Sequence, residues 1–367
     1  MTPRVSRLVH KSLEEETVIQ RLLRTDVQDI LFSPTYYPVL GDFERREVVF
    51  VEMSRESYHD SLFLDLSRIR PIRPHHYYYR LDDLLLAAYS DPSPRPGIHY
   101  ILHTAFCCST LLARYLEMIS SCLVLKEPRI LTQLALASDR KSVEWSEWFK
   151  LLVMLLGRVF NPSDTVVVKL HDRGNSIGLD LLMHDSRATL TFLTGSLKHS
   201  IVSFLKPERR SRWLPIRKRA AAKDAVNIPE LEGVKVDELT DAQSAAFIWL
   251  TNMLLCSRLR SRFDSSRIII LDGHEVASSP LGTLRAVTQL GGILLREQEL
   301  EKIVAGPLAR RHSKDSSRPY DAEARREEIA AMEAHFCDEA AGGIRWVTDR
   351  GFDVEALQNM CQTTQSR

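Results

Sequence analysis

Two groups of residues in this chain have the types and spacing for chemistry on an anion. The first is His99 to Pro128, HYILHTAFCCSTLLARYLEMISSCLVLKEP. Strand formers Tyr100 to Leu102 give way across Thr104–Thr110 to a helical pattern, with Leu112, Tyr115, Leu116 and Ile119 on one face. A strand entering a helix through a short turn offers an anion the free N–H groups of the first helical turn and the positive end of the helix dipole. Ser109 and Thr110 add hydroxyl donors. The phosphate loop with two Gly and a Lys is absent, so spacing alone allows an anion site or a plain strand-turn-helix capped by Ser109. The second group is Lys169 and His171, at the far end of the apolar run TVVVKL, Thr165 to Leu170.

The elements that must position these groups follow from the hydrophobic pattern. Thr165–Leu170, Arg187–Leu193 and Arg267–Leu271 are β-branched runs of the kind found in strands covered on both faces. Helical sequence separates them: Ser109–Ile119, Ala135–Ser138, Glu144–Phe160 and Ser176–His184. Alternating apolar strands and helices predict an α/β fold of three layers, a mostly parallel sheet flanked by helices, in which ligands collect at the carboxyl ends of the strands. The loops after Leu102, Leu170, Leu193 and Leu271 are then expected to converge. Ahead of this region the pattern predicts an amphipathic helix over Ser6–Val27. Strands at Val48–Met53, Ser61–Leu66 and Tyr77–Tyr79 and a helix over Leu81–Ala88 follow it. The run Ser90-Asp91-Pro92-Ser93-Pro94-Arg95-Pro96-Gly97 reads as a connector. It divides the chain into an N-terminal α+β extension, 1–97, and a main domain, 98–367.

Hydrophobic content of 44% and charged content of 26% in 367 residues are those of a soluble globular protein with a large core. A formal net charge of +1 gives no bulk attraction to nucleic acid or to a membrane surface. No run of about 18 apolar residues occurs, and MTPRVSRLVHKSLEEE lacks the apolar centre of a signal peptide, so a cytoplasmic location is expected. Six Cys form neither a disulfide framework nor paired metal-ligand spacing, and HEVAS at His274 lacks a second His, so no metal is expected. Adjacent Cys107 and Cys108 at a helix start raise two readings: a thiol of lowered pKa, or small packing residues under a loop.

The first segment resembles the 5′-phosphosulfate loop of sulfotransferases that use 3′-phosphoadenosine 5′-phosphosulfate (PAPS), where Pro-Arg/Lys-Ser-Gly-Thr-Thr runs into Leu-Leu-Ala-Arg. Ser109, Thr110 and Leu111 to Arg114 match it; Phe106 stands where the basic residue belongs, and Cys107-Cys108 replace Ser-Gly. The second group is similar to the family's Lys-Thr-His strand end, followed by a strand that enters an Arg-x-x-Lys-x-x-x-x-Ser helix start. Lys169, His171, Lys198 and Ser203 match, and Gly195 falls where the family's Arg grips a 3′-phosphate. LDGHEVASSPLGTLRAVTQLGG resembles a further segment of the family through Leu271, Glu275, Pro280, Thr283, Leu284, Leu290 and Gly291. The basic stretch Ala309–Tyr320 occupies the place of the loop that closes over PAPS.

The resemblance implies a P-loop NTPase-like fold and transfer of a sulfuryl group from PAPS to a hydroxyl or amine of a small-molecule acceptor, without a metal. It implies that His171 takes the acceptor's proton and that Lys169 stabilises charge on the leaving phosphate. Cys107, Cys108, Ser109 and Thr110 would hold the 5′-phosphate, and Lys198, Ser203, Arg310 and Arg311 the 3′-phosphate. By its position at the end of Lys126-Glu127-Pro128, near the expected cleft, Glu127 reads as a group that binds the acceptor or orients His171, or as a plain strand-end charge. The basic run Arg209–Arg219 reads as a solvated helix or a lid beside the site. Two other readings stand beside this one. The loss of cations at Phe106 and Gly195 fits a non-catalytic P-loop-like binding or scaffold protein. Gly174-Asn175-Ser176-Ile177-Gly178 matches the GxSxG pattern of serine hydrolases, with Asp272 and His312 in the required order.

Overall fold

The computed structural model describes residues 27–89, 97–137, 139–140, 142–306, 311–312, 315–319 and 322–360. Three strands, β1 (Tyr36–Asp42), β2 (Glu47–Glu52) and β3 (Tyr77–Arg80), form an antiparallel sheet in that order. Five more, β4 (Ile98–His103), β5 (Cys122–Lys126), β6 (Thr165–Lys169), β7 (Thr189–Thr194) and β8 (Ile268–Asp272), form a wholly parallel sheet of order β5-β6-β4-β7-β8.

The parallel strands are apolar on both faces because both faces are covered. Side chains alternate along each strand. Tyr100, Leu102, Leu125, Val168, Leu190 and Phe192 enter one core together with Leu152, Leu155 and Leu181 from helices on that side. Ile101, Val124, Val167, Leu193 and Leu271 enter a second core with Leu112, Leu116, Leu284 and Val287 on the other side. The result is the three-layered α/β architecture that the sequence predicts. The first core also takes Tyr37, Val39, Val48, Phe50 and Leu81 from the antiparallel sheet and its neighbours. We therefore keep 1–97 and 98–367 as a proposed division drawn between two sheets, not at a break in the core.

Five helices matter for the site: α1 (Ser109–Glu117), α2 (Leu197–Leu205), α3 (Pro207–Arg212), α4 (Leu214–Ala225) and α5 (Asp241–Arg262). A capping box between Thr240 and Gln243 starts α5. Trp249, Ile201, Phe204 and Leu214 then join α2, α4 and α5 into a third core. The stretch Arg209–Arg219 is thus built of α3, Trp213 and the first half of α4.

Some expectations move. Ser61–Leu66 is not a strand: Ser61 ends the helix Arg55–Asp60 with its Oγ on Ser57 O (2.7 Å), and the Asp65 carboxylate captures Ser67 N (2.9 Å), so turn chemistry prevails. The helix expected at Ala135–Ser138 runs instead from Arg129 to Ala135, directly after Pro128. Strand β1 was not expected. It contains Pro38, tolerated because β1 is an edge strand with a pairing irregularity between Pro38 and Leu40. The helix expected over Ser6–Val27 lies outside the described residues except at Val27, which opens the helix Val27–Phe32.

Candidate active site

The strand order reverses direction at β4: the chain leaves β4 for β5 and β6 on one side and then crosses to β7 on the other. Loops diverge there, and open α/β sheets bind ligands at such a point, beyond the carboxyl ends of the strands. A cavity of about 320 Å³ sits at this place. Its walls include His103, Ala105, Phe106, Ser109 and Thr110 after β4, Glu127 after β5, and His171 and Arg173 after β6. Phe63 and Arg68 close it from the segment between β2 and β3, and Trp213, Ile216 and Arg217 from the start of α4 and the residue before it.

The turn after β4 is compact and left-handed. Ala105, Phe106 and Cys108 have φ of 69°, 53° and 58°, conformations that glycine adopts without cost and other residues at about 1–2 kcal/mol each. Cys108, not Ser109, is the N-cap of α1, and it makes no side-chain cap bond. Ser109 and Thr110 are therefore the first two residues of the helix, where backbone N–H groups lack intrahelical partners. Gly273, after β8, packs so tightly under the turn that a Cβ there would lie 2.1 Å from Cys107 O.

The two cysteines of this turn differ. Cys107 is buried with its Sγ on Leu193 O (3.5 Å), and burial pushes its thiol up to about 12. The expectation of a thiol of lowered pKa fails for Cys107, because the helix dipole cannot offset the loss of solvent. Cys108 is exposed.

Lys169 is fully buried, and its Nζ donates to Glu127 Oε1 at 2.6 Å. Burial alone would raise the Glu127 carboxyl, but the Lys169 ammonium, with His171 and His103 behind it, holds it at about 2. Glu127 has φ of +53° and its N–H donates to Lys169 O at 2.7 Å, so the pair is fixed by backbone and side chain together. The role implied for Lys169, a cation facing the leaving group, is altered by this geometry: its charge is spent on Glu127, and Glu127 is the member of the pair that lines the cavity. His103 completes the cluster. Its Nδ1 accepts from Ala105 N (3.1 Å) and its Nε2 lies 3.0 Å from Leu170 O, which assigns the proton to Nε2. Burial, reinforced by Lys169, pushes its pKa down to about 3, so the ring is neutral at pH 7.

His171 lines the cavity from the end of β6. Its Nδ1 lies 2.7 Å from Asp172 Oδ1 and 3.2 Å from Arg173 N, and the facing carboxylate assigns the ring proton to Nδ1. Both contacts fall on Nδ1, which leaves Nε2 as the nitrogen for an incoming group. Asp172 is shared, because its Oδ2 lies 2.8 Å from Arg217 Nε. Burial would raise this carboxyl, but Arg217 and His171 hold it well below the usual range.

The structure brings together Ser109, Thr110, His171 and, through Glu127, Lys169. It places Lys198 and Ser203 elsewhere. Lys198, in the first turn of α2, pairs with Glu333 (2.7 Å), and Ser203 lies 3.4 Å from His199 Nε2 on the same helix; neither lines the cavity. Arg310 lies outside the described residues, and Arg311 is in the strand Arg311–His312. The hydrolase triad is not assembled. Ser176 follows β6 within a 3-10 turn (Asp172–Ile177), whereas Asp272 ends β8, three strands away and thus roughly 14 Å across the sheet. Phe63, Arg68, His103, Asp172, Arg173 and Arg217 are site residues that no motif marks. Only the basic run Arg209–Arg219 pointed toward Arg217.

No protein-family model matches the sequence, and no curated protein matches it. Among solved structures, the chain is similar to a sulfotransferase domain from the curacin biosynthetic pathway, at 14% identity and a TM-score of 0.37, over 66% of this chain and 99% of that one. It is also similar to the sulfotransferase STF1 from Mycobacterium tuberculosis H37Rv, at 12% identity and a TM-score of 0.41, over 77% of this chain and 81% of that one. A retinol dehydratase in complex with retinol and PAP aligns at 10% identity and a TM-score of 0.36, over 76% of this chain and 87% of that one. None of these proteins lends a residue or an activity to this chain. No helix among the described residues is long and apolar enough to cross a membrane, and no group of three or more His, Cys, Asp or Glu among them is placed to hold a metal ion.

Proposed function

We propose that this chain is a sulfotransferase that moves a sulfuryl group from PAPS to a hydroxyl or amine of a small acceptor, in the cytoplasm and without nucleic acid or membrane as partner. One observation carries the reading: a phosphate-type helix start, Ser109-Thr110, and an imidazole backed by a carboxylate, His171 with Asp172, open into the same cavity at the reversal point of a parallel sheet. The residues suit a donor of this kind, since hydroxyls, a helix start and the guanidiniums of Arg173 and Arg217 meet there. PAPS, when bound, supplies an activated sulfuryl group on a phosphate leaving group.

In this reading His171 takes the acceptor proton on Nε2 while Asp172 stabilises the imidazolium that forms. Ser109, Thr110 and the N–H groups from Cys107 to Thr110 hold the 5′-phosphate. Lys169 fixes Glu127 as an ionised wall group, which orients the acceptor's hydroxyl or amine by accepting a hydrogen bond. Phe63, Trp213 and Ile216 exclude water from the acceptor's body. Lys198, Ser203, Arg310 and Arg311 remain proposed contacts for the 3′-phosphate. The test is a mass-spectrometric screen of hydroxyl and amine acceptors with PAPS, read as a gain of one sulfonate that His171→Ala abolishes.

A second reading, a binding or scaffold protein, is favoured by the pairing of Lys169 with Glu127 and by Phe106 in the loop. Calorimetric titration with adenosine 3′,5′-bisphosphate separates the two. Micromolar binding supports the enzyme, and none at millimolar ligand supports the scaffold.

A further inference from the structure

Arg173 and Arg217 reach the cavity from different elements, one behind β6 and one on α4, and both also line a chamber of about 10 Å³ behind it. Arg217 gives Nε to Asp172, while its Nη1 is buried without a hydrogen-bond partner. The Arg173 side chain has no ion pair or hydrogen bond with any described residue, although burial, Arg217 and Arg129 oppose its charge and only Asp172 and Glu127 pull the other way. Three cations at the site, Lys169, Arg173 and Arg217, thus face two carboxylates, Glu127 and Asp172. The chamber's other acid, Asp224, has Arg140 and Lys223 as its neighbouring cations, and Arg68 is paired with Asp65. At least one positive charge is left over among partly buried side chains, which an anion would neutralise.

The loop position that lacks a cation is covered from the same side. The Phe106 ring packs edge-on against Phe204, with centroids 4.8 Å apart, and lies under the guanidiniums of Arg209 (4.5 Å) and Arg217 (5.8 Å). Of these two arginines only Arg217 lines the cavity.

We propose that Arg173 and Arg217 form an oxyanion-binding subsite that takes a phosphate, sulfate or sulfonate group in the cavity shared with Ser109 and Thr110. The identity of the ligand rests on the function proposed above; the subsite does not. The oxyanion belongs either to the nucleotide donor, in which case Arg217 replaces the cation missing at Phe106, or to an acid group on the acceptor.

The test is calorimetric titration at neutral pH of the full chain and of Arg173→Gln, Arg217→Gln and Arg217→Lys, with inorganic pyrophosphate and adenosine 3′,5′-bisphosphate as probes. Each Gln variant is expected to weaken binding about tenfold or more. Arg217→Lys keeps part of the affinity, since it keeps charge without the planar fork. If the nucleotide's affinity falls and Phe106→Lys restores it in the Arg217→Gln background, the oxyanion is the donor's. If nucleotide binding is unchanged but pyrophosphate no longer binds the nucleotide-saturated variants, it is the acceptor's. Wild-type protein that binds pyrophosphate through both arginines but binds no nucleotide refutes the PAPS reading and leaves the subsite standing. Equal affinities in wild type and Gln variants, or no binding of either probe to wild type, overturn the subsite. Melting curves monitor folding. Should Arg217→Gln unfold by stranding Asp172, Arg173→Gln, which strands no carboxylate, decides alone.

Discussion

Replacing Glu127 by Gln should cost more stability than any other single substitution at the cavity, because it strands a buried ammonium. The geometry sets the magnitude: Lys169 Nζ is enclosed and 2.6 Å from Glu127 Oε1. A carboxyl held at about 2 instead of 4.5 corresponds to about 3 kcal/mol of preference for its ionised form. Because the folded-state pKa is depressed, that contribution is complete above about pH 4.5 and is lost only as pH falls through about 2, so measurement at pH 7 captures all of it. Breaking a buried pair by removing one partner typically costs about 3–5 kcal/mol, in agreement with this figure. The assay is urea unfolding of Glu127→Gln, Lys169→Met and the double variant. Each single change is expected to lose about 3 kcal/mol, and the double change to recover most of it, since neither charge is then left alone. A Glu127→Gln loss under about 1 kcal/mol, or a double variant as unstable as the sum of the singles, would refute the assignment of Lys169 to Glu127.

Other outcomes follow from single contacts. His99, between Thr189 Oγ1 (2.8 Å) and Thr191 Oγ1 (3.0 Å), is pushed down to about 4 by burial, and His103 to about 3. Both are neutral in the fold and take protons on unfolding, so stability should be full above pH 6.5 and fall by about 4 kcal/mol at pH 5; urea midpoints across this range check it, and His99→Gln should halve the decline. Alkylation of native protein at pH 8, mapped by mass spectrometry, should label Cys108 and Cys337 and spare the buried Cys107, Cys122 and Cys256. Gly273→Ala drives a Cβ to 2.1 Å from Cys107 O and should cost on the order of 3 kcal/mol and weaken nucleotide binding. Gly195→Ala meets nothing closer than 3.5 Å and should leave both unchanged within error; thermal melts and titrations decide.

The parallel strands were legible because burial on both faces forces continuous apolar runs, as in Val166 to Val168. The cavity lies beyond the carboxyl ends of β4, β5 and β6, where a parallel sheet is expected to gather loops, whereas the loops after Leu193 and Leu271 pack against the Cys107 turn and supply none of its walls. What the sequence hid is mostly long-range. Lys169 reads as a cation for a ligand until β5 pairs with β6 and sets Glu127 against it, at a separation of 42 residues. Arg217 reads as one more charge in a basic run until α4 carries it to Asp172. Ser61–Leu66 reads as a strand that contains Phe63, whereas an Asp65 turn delivers Phe63 and Arg68 to the cavity. Pro38 concealed β1, since only tertiary context reveals that it lies at an edge.

The central position of β4 has a consequence for biosynthesis. This apolar strand is complete at His103, whereas its two neighbours begin at Thr165 and Thr189. At roughly 5–20 residues per second, a ribosome holds it without a partner for several seconds. Over that interval a row of bare amides and aliphatic side chains is open to other nascent chains, which makes yield in cells sensitive to chaperone supply and to translation speed between codons 104 and 194.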